Sequence, residues 1–488
     1  MNDTVSPPPV EDAKSVRELR EELPLYVARV KVYPKRIKGF FRRWKWTALT
    51  VCLSVYYLAP WLRWDRGPGQ PDQAFLIDMG SRRAYFLWIE IWPQEVYYLA
   101  GLLMIGAFGL FLVTSLFGRV WCGHFCPQTV WTDLFMAVER FVEGDRGARI
   151  RLDKAAWSAR KVAKKVTKHA IWIAISVATG GAWIMYFNDA PTLMLDILHL
   201  EVPLAVVFFI GLFSATTYLL GGLAREQVCT YMCPWPRFQA AMFDEDSLIV
   251  TYQKWRGEPR GAYRKGESFE DRGDCVDCKQ CIAVCPTGID IRDGNQLECI
   301  GCALCIDACN EVMDRIGRPR NLIDYTTTQN LVARERGEAP RLHLIRPRTL
   351  IYFLLLSIVG GVIFYGLATR DDLEINILRD RNPLFVTLSD GSVRNGYTFK
   401  ILNKDHDARI FSLAIEGLQL PQMRLVGNDQ TKAVQTLIAA PDHVSTYRVY
   451  VSVERDTLKT DATDFEFRLI ESGKPEHRHG SVFRGPKK

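Results

Sequence analysis

The chain alternates between long apolar runs and polar stretches, and this pattern predicts a protein that crosses a membrane several times. Five runs are long and apolar enough to span the hydrocarbon core of a bilayer, which takes about 20 helical residues. They cover residues 46–62, 97–117, 170–187, 203–222 and 350–368. The mean hydropathy near zero is therefore an average over very apolar and very polar segments.

Basic residues flank these runs unevenly, and their distribution predicts the orientation of the chain. Lys and Arg are frequent in the arm before the first run and between the second and third runs, whereas residues 188–202 have neither. Because cytoplasmic loops carry an excess of Lys and Arg, we expect the N-terminus and the long segment 223–348 in the cytoplasm. An odd number of spans then places the region after about residue 369 in the periplasm. The predicted location is the bacterial inner membrane.

The region after the fifth run has a different pattern. Short alternating runs at 385–388, 398–402, 410–415, 447–453 and 465–469 are separated by turn-forming residues. Several short strands at this spacing predict an antiparallel, all-β, immunoglobulin-like sandwich. We expect the last stretch, 473–488, to be a tail without strand structure.

The net charge of +7 belongs mainly to the segments beside the apolar runs. Such juxtamembrane charge is typical of contact with membrane lipid, so we expect no nucleic-acid partner. The arm of some 45 polar and basic residues before the first run also argues against a signal peptide.

Twelve of the thirteen cysteines fall into four tight motifs, and the remaining one, Cys52, lies alone in an apolar run. Two motifs, at 275–285 and 299–309, share the C-x2-C-x2-C-x3-C spacing of bacterial two-cluster ferredoxins. Three cysteines of each motif wrap one face of a cubane, and the fourth reaches across to the other cluster. The pattern thus predicts two [4Fe–4S] clusters, with these ligands for one and then the other: Cys275, Cys278, Cys281 and Cys309; Cys285, Cys299, Cys302 and Cys305.

Zinc and disulfides are the alternatives for these eight cysteines. Zinc sites use C-x2-C pairs without tandem quadruple runs, and a reducing cytoplasm disfavours disulfides. Asn310 stands where a proline follows the first motif, which changes no ligand. We therefore expect an α+β ferredoxin domain inserted in the segment 223–348, with its core at 270–312.

Two further motifs form an internal repeat, because a C-x3-C-P sequence follows both the second and the fourth apolar run. The four cysteines are Cys122, Cys126, Cys229 and Cys233. On a helix, thiols four residues apart share one face, and two related hairpins would bring all four together beneath the cluster domain. Soft thiolates suit Cu(I), with His124 and Met232 as further candidate ligands. A copper site and a dithiol redox relay remain open, as does the alternative that these cysteines simply pack as small apolar residues.

The motifs together resemble the FixG/RdxA/CcoG family of cytochrome c oxidase accessory proteins. The resemblance covers the basic arm 1–45, the membrane core 46–222, the cluster segment, the fifth span at 349–369 and the β-sandwich at 370–488. It implies a role in assembling cbb3-type cytochrome oxidase by reducing Cu(II) to Cu(I). It also implies partnership with oxidase assembly proteins and a copper-exporting P-type ATPase.

Three functions are therefore compatible with the sequence. The first is a cupric reductase with the four C-x3-C-P cysteines as the catalytic site. The second is a quinol-linked electron-transfer subunit, and the third is a non-catalytic assembly factor or redox sensor. The sequence has no Gly-rich dinucleotide motif and no P-loop, so the electron donor is expected to be a partner protein or a quinol.

Overall fold

The computed structural model describes residues 13–21, 31–67, 69–264, 269–428, 430–458, 460–471 and 475–486. The chain divides into two compact units, Met1–Ile363 and Phe364–Lys488. The first unit is mainly helical and contains every cysteine, and the second is all β.

The first unit holds the helices of the chain. In chain order they are α1 Val16–Glu21, α2 Phe40–Leu58, α3 Tyr97–Phe117, α4 Pro127–Glu143, α5 Arg146–Lys154, α6 Ala159–Ile184, α7 Ala190–His199, α8 Leu204–Thr217, α9 Trp235–Met242, α10 Lys254–Gly257, α11 Gln280–Val284, α12 Leu304–Arg315, α13 Thr328–Glu335 and α14 Pro347–Ala368.

Within the described residues, three helical stretches are long and apolar enough to cross a membrane, namely Pro93–Phe117, Leu204–Ala224 and Pro347–Ala368. They match the predicted second, fourth and fifth spans. Few of their residues are buried against other parts of the protein. Their apolar side chains are thus left to face lipid, as a spanning helix requires.

The first and third predicted spans are also helical, as α2 and α6, but both helices begin in basic sequence. Arg42, Arg43 and Lys45 lie in the first turns of α2, and five cations lie in the first half of α6. These charges reduce the apolar length of each helix. Three spans are therefore supported by length and composition, and the five-span topology stays a prediction.

The segment between α2 and α3 forms a small antiparallel sheet, β1 Phe75–Asp78, β2 Arg83–Phe86 and β3 Ile89–Ile91. The buried Gln73 joins this sheet to the loop after α6. Its Nε2 donates to the carbonyl of Met185 at 2.7 Å, and its Oε1 accepts from the backbone N–H of Ala190 at 2.9 Å. The two loops therefore form one folded cap at that end of the bundle.

A two-stranded antiparallel sheet closes the cluster segment. Strands β4 Ile249–Tyr252 and β5 Ile323–Thr326 pair with Ile249 opposite Thr326 and Tyr252 opposite Ile323. Between them, α11 and α12 pack around an apolar core that includes Ile282, Val312 and Met313. Both cysteine-rich motifs thus lie, in chain order, between these two paired strands.

The second unit is a sandwich of two antiparallel sheets. One sheet has the order β11-β10-β13-β8-β6, with β7 beside β8, and the other has the order β12-β9-β14-β15. Their bounds are β6 Leu373–Arg379, β7 Val386–Thr387, β8 Val393–Asn403, β9 Arg409–Glu416, β10 Gln422–Leu425, β11 Thr431–Lys432, β12 Gln435–Ala439, β13 His443–Val453, β14 Ala462–Glu471 and β15 His477–Arg484.

All five predicted strands of this domain occur in the structure, but the expected tail at 473–488 is wrong over most of its described length. Strand β15 pairs with β14 from Ala462 opposite Arg484 to Leu469 opposite His477. Only Phe483 within β15 is fully buried, so the strand has a weak alternation of apolar and polar residues. An edge strand with one apolar anchor gives little signal in the sequence.

Candidate electron-transfer site

The two cysteine-rich motifs have the same backbone conformation. In the first, Asp277 and Lys279 have left-handed backbones, with φ of 46° and 56°. In the second, Gly301 and Ala303 occupy the equivalent positions, with φ of 70° and 59°. These turns wrap each loop before its helix, α11 or α12, begins at the residue before the third cysteine. The duplication seen in the spacing thus extends to the backbone.

Electrostatic contacts between thiols group the eight cysteines into two sets. Cys309 interacts with Cys275 and Cys278, and it also interacts with Cys281. Cys305 interacts with Cys302, Cys299 and Cys285. Cys305 also interacts with Cys281, across the two sets that the spacing pairs, and the assignment of ligands to each cluster stays a prediction.

The chemistry of the eight thiols fits an iron–sulfur cluster. Burial raises the pKa of Cys299 and of Cys309 to about 12, so metal binding must displace the protons of these two thiols. Among the described residues, no three His, Cys, Asp or Glu side chains are close enough to hold a single metal ion. A cubane holds its thiolates further apart than a single ion does, so this finding does not conflict with the two sets.

The C-x3-C-P motifs form two matching π-helical turns, where the sequence argument assumed α-helix. The first turn is Trp121–Phe125 and the second is Val228–Met232. Each is closed by a 2.8 Å backbone bond, from Cys126 N–H to Trp121 C=O and from Cys233 N–H to Val228 C=O. Single π-turns are rare and frequently occur at functional sites.

All four cysteines of these turns line one cavity of about 250 Å³. Ile300 and Leu297, beside the second cluster motif, line it too. Cys122 and Cys229 also pack against the apolar cluster that contains Ile300 and Cys302. The structure therefore brings the four thiols together beside the cluster segment, as the sequence predicted.

Backbone groups of the thiol turn and of the second cluster motif are in direct contact. A Cβ on Gly123, between Cys122 and Cys126, would lie 2.9 Å from the Gly301 carbonyl oxygen and 3.0 Å from the Cys302 Cα. Only glycine permits this approach without a shift. At Gly123 the backbone of the thiol turn therefore packs directly on the backbone of the second cluster motif.

The Arg119 side chain links the thiol turn to the second cluster motif. Its Nη1 donates to the carbonyl of Cys299 at 2.7 Å and also to that of Leu297, and its Nη2 donates to the carbonyl of Pro236 at 2.9 Å. Burial lowers the pKa of Arg119, and the nearby Cys299 and Cys122 thiols oppose that shift. Arg119 is thus a buried cation beside both sets of thiols.

Three thiols of the cavity, those of Cys122, Cys126 and Cys229, have a raised pKa. Burial, then the neighbouring Cys126, raises the pKa of Cys122 to about 12, and burial raises that of Cys229 to about 12 as well. Gln239 Oε1 accepts from the Cys122 thiol at 3.2 Å. His124 and Met232 do not line the cavity: Met232 is 62% exposed, and His124 Nδ1 lies 3.2 Å from the Val120 carbonyl. The expectation that these two residues help to bind copper therefore lacks structural support.

Sequence reasoning missed Gly123, Arg119 and Gln239. Gly123 is visible in the sequence only as one residue inside a C-x3-C motif. The contacts of Arg119 and Gln239 join residues more than a hundred positions apart, so only the packing of the helices reveals them.

Comparison with known proteins identifies the family. The chain is 53% identical over 473 residues to the nitrogen fixation protein FixG of Rhizobium meliloti, covering 91% of this chain and 90% of that protein. It is 50% identical to protein RdxB of Cereibacter sphaeroides, over 94% of this chain and 97% of RdxB. Protein RdxA of the same organism is 47% identical, over 93% and 96% of the two chains. The chain belongs to the FixG/RdxA/RdxB family.

Family models agree with the division of this FixG-family chain. A 4Fe–4S dicluster domain matches residues 224–328, and the immunoglobulin-like fold at the C-terminus of FixG matches residues 363–486. A second 4Fe–4S binding domain matches residues 99–144, which include Cys122 and Cys126. The chain is therefore an iron–sulfur electron-transfer protein associated with membranes.

Proposed function

We propose that this chain is a membrane-bound cupric reductase, which converts Cu(II) to Cu(I) for the assembly of cbb3-type cytochrome oxidase. The supporting observation is the cavity in which Cys122, Cys126, Cys229 and Cys233 meet, in backbone contact with the second cluster motif. Electron-carrying groups and soft copper ligands would then be neighbours. That arrangement suits a one-electron reduction whose product thiolates prefer.

The residues that would hold the clusters are the eight cysteines of the two ferredoxin-type motifs. Cys275, Cys278, Cys281 and Cys309 would hold one cluster. Cys285, Cys299, Cys302 and Cys305 would hold the other, which adjoins the cavity. When bound, the clusters supply single electrons at potentials that range widely, from about −700 to +450 mV among such proteins.

A pair of the four cavity thiols would bind the substrate, because no three of the described His, Cys, Asp or Glu side chains are close enough to hold a single ion. Each Cu(II) accepts one electron and becomes Cu(I), and each thiol that coordinates it gives up one proton. Because burial raises the pKa of Cys122 and Cys229, copper binding rather than bulk pH would drive this deprotonation. Apolar side chains such as Ile300 also line the cavity.

Arg119 and Gln239 would act as positioning residues. Arg119 holds the loop at Leu297 and Cys299 through two carbonyl contacts and α9 through a third, to Pro236. Gln239 orients the Cys122 thiol, and its Nε2 lies 3.4 Å from the Thr114 hydroxyl. Both residues would fix the distance between the cavity and the cluster loop, and electron transfer depends on that distance.

The remaining parts of the proposal concern topology and partners. The N-terminus and cluster segment would lie in the cytoplasm of a five-span inner-membrane protein, and the β-sandwich would lie in the periplasm. Oxidase assembly proteins and a copper-exporting P-type ATPase would take up the Cu(I). The electron donor would be a partner protein or a quinol.

The test replaces Cys122, Cys126, Cys229 and Cys233 with Ser in the full-length protein, purified without oxygen. Iron content and the yield of Cu(I) after dithionite reduction are measured, with Cys52→Ser as the matched control. We expect about eight irons per chain in all three proteins, and at least about a tenfold loss of copper reduction in the fourfold variant alone. Unchanged reduction in that variant would refute the proposal.

A second function of the cavity is supported by the family match at 99–144, a 4Fe–4S binding domain that includes Cys122 and Cys126. The four thiols would then hold a third cluster and relay electrons without binding copper. The same experiment separates the two. A third cluster requires about twelve irons in the wild-type protein and about eight in the fourfold variant.

A further inference from the structure

A second cavity lies where α2 begins beside α4, away from the four thiols. Its volume is about 690 Å³, and no acidic side chain is among the residues that line it. Five cations line it instead: Arg36, Lys38, Arg42, Arg43 and Arg140. The side chains of Trp46 and Phe141 form an apolar part of the cavity wall. We call this space the basic cavity.

Most of these cations lack a counter-ion. Arg42 is the exception, because its Nη1 donates to both carboxylate oxygens of Asp133, at 3.0 and 2.9 Å. Within the described part of the chain, the other four have no ion pair, and the Nε of Arg140 is buried without a hydrogen-bond partner. The basic cavity therefore holds more positive charge than its own surroundings neutralise.

Arg140 carries the largest cost of this arrangement. Burial, together with the nearby Arg42, lowers its pKa to about 10, although Asp133 opposes the shift. Asp133 and Asp145 are near Arg140 but form no direct ion pair with it, and a buried guanidinium without such a pair is energetically unfavourable. Guanidinium groups bind phosphate through paired N–H donors, so a phosphate group in the cavity would satisfy the free donors of Arg140.

Helix α2 also carries an exposed apolar stripe, on the face next to the one that lines the basic cavity. Phe40, Trp44, Val51, Val55 and Leu58 lie on one face of the helix, and each is between 46% and 66% exposed. Tryptophan at the first turns and aliphatic residues further along are typical of a helix that passes from the headgroup region into the hydrocarbon. The stripe has the length and chemistry to contact a lipid acyl chain.

We infer that the basic cavity binds the phosphate headgroup of an anionic phospholipid, whose acyl chains lie along the apolar stripe of α2. This inference rests on the proposed membrane placement of α2, but not on copper reduction. Basic pockets at the cytoplasmic ends of membrane helices bind such headgroups. A free phosphate ion would satisfy the same cations but would leave the apolar stripe without a ligand, so the combination favours a lipid.

The test measures lipid binding by the full-length protein in an uncharged detergent, by native mass spectrometry. The probes are phosphatidylglycerol and phosphatidylcholine with the same acyl chains, and inorganic phosphate is added as a competitor. The variant combines Arg43→Gln with Arg140→Gln and leaves the Asp133-paired Arg42 in place. The control, Arg160→Gln, removes an exposed cation from the first turn of α6.

We expect the wild-type protein and the control to bind phosphatidylglycerol at least about tenfold more tightly than phosphatidylcholine, and the double variant to lose this preference. Equal affinity for both lipids in the wild-type protein, or a preserved preference in the double variant, would overturn the inference. Complete displacement of the lipid by millimolar phosphate would show a free-anion site and overturn it as well. Iron content, measured in parallel, confirms that the variants are folded.

Discussion

Gly123 is the residue where the thiol turn and the cluster motif come closest. A methyl group at this position would meet the Gly301 carbonyl and the Cys302 backbone, and neither is a flexible side chain. Substitution must therefore separate the two backbones by several tenths of an ångström. The contact depends on the absence of a side chain at Gly123.

We predict that Gly123→Ala lowers the midpoint of thermal unfolding and slows copper reduction, because overpacking of a tight contact costs about 1–3 kcal/mol. Gly106→Ala is the control, since a Cβ there would meet no atom within 4 Å. Both quantities are measured on protein with full iron content. An unfolding midpoint equal to that of the Gly106→Ala protein would contradict the close approach.

Glu139 is a buried carboxylate in α4 that forms ion pairs with three cations. Its oxygens lie 3.0 Å from Arg149, 3.0 Å from Arg225 and 3.5 Å from Lys168. Burial acts to raise the pKa of Glu139, but these cations, Arg225 first, lower it from 4.5 to about 2. Removing the carboxylate would leave Arg149 and Arg225 without their buried counter-ion, whereas Lys168 would keep Glu143 at 2.9 Å.

We predict that Glu139→Gln destabilises the protein by about 3–5 kcal/mol, as expected for one partner removed from a buried ion pair. The folded pKa is depressed, so the stabilisation is fully present above pH 4.5 and is lost as the pH falls toward about 2. Tryptophan fluorescence during unfolding at pH 7 and in this acid range measures both effects. Glu335→Gln, at an exposed position of α13, should change neither.

At the scale of elements, the π-turns explain how two hairpins of different sequence form one site. Each turn follows an apolar helix and ends two residues before a proline, with one cysteine inside the turn and the other directly after it. The helices that follow differ in length, α4 with 17 residues and α9 with 8. The turn, rather than the whole hairpin, is the repeated structural unit.

Strand β15 is the element whose importance the sequence hides. Phe483 is fully buried in the core of the sandwich, and the Tyr397 hydroxyl donates to the carbonyl of Val482 at 2.9 Å. The strand is thus fastened to both sheets, although its residues are mostly polar.

We predict that Phe483→Ala costs about 3–5 kcal/mol of stability in the β-sandwich, since it removes a buried aromatic side chain. Ile438→Ala, a large apolar residue that is 53% exposed in the same domain, should cost far less. Trypsin sensitivity of the residues after 369 reports the difference in the full-length protein. If both variants resist trypsin equally, β15 does not contribute to the stability of the β-sandwich.

At the scale of the whole molecule, the proposed topology puts the cluster segment and the β-sandwich on opposite sides of the membrane. We predict that trypsin added to spheroplasts digests the region after residue 369 and leaves the cluster segment intact. Inside-out vesicles should give the reverse result, because the basic segments then face the protease. Digestion of both regions in the same preparation would mean that α14, the helix between them, does not cross the membrane.

Local features of the sequence predicted much of this protein. The apolar length of α3, α8 and α14 and the ferredoxin spacing are properties of neighbouring residues, so they could be predicted without knowing the fold. The same holds for the strands with strict alternation, such as β9 and β13. The first and third spans remain predictions, because the charges within α2 and α6 shorten their apolar stretches.

By itself, the sequence determined which chemistry the chain carries: eight cysteines at cluster spacing, two C-x3-C-P pairs and apolar segments long enough for a bilayer. Only the tertiary structure decided what lies next to what. It brings Gly123 against Gly301, Arg119 against the Cys299 carbonyl 180 positions away, and five cations into one cavity, of which Arg42 alone has an ion pair among the described residues. The reason is physical. Spacing restricts the geometry of residues within a few turns of chain, whereas contacts between distant segments arise from the packing of whole helices, which no local pattern records.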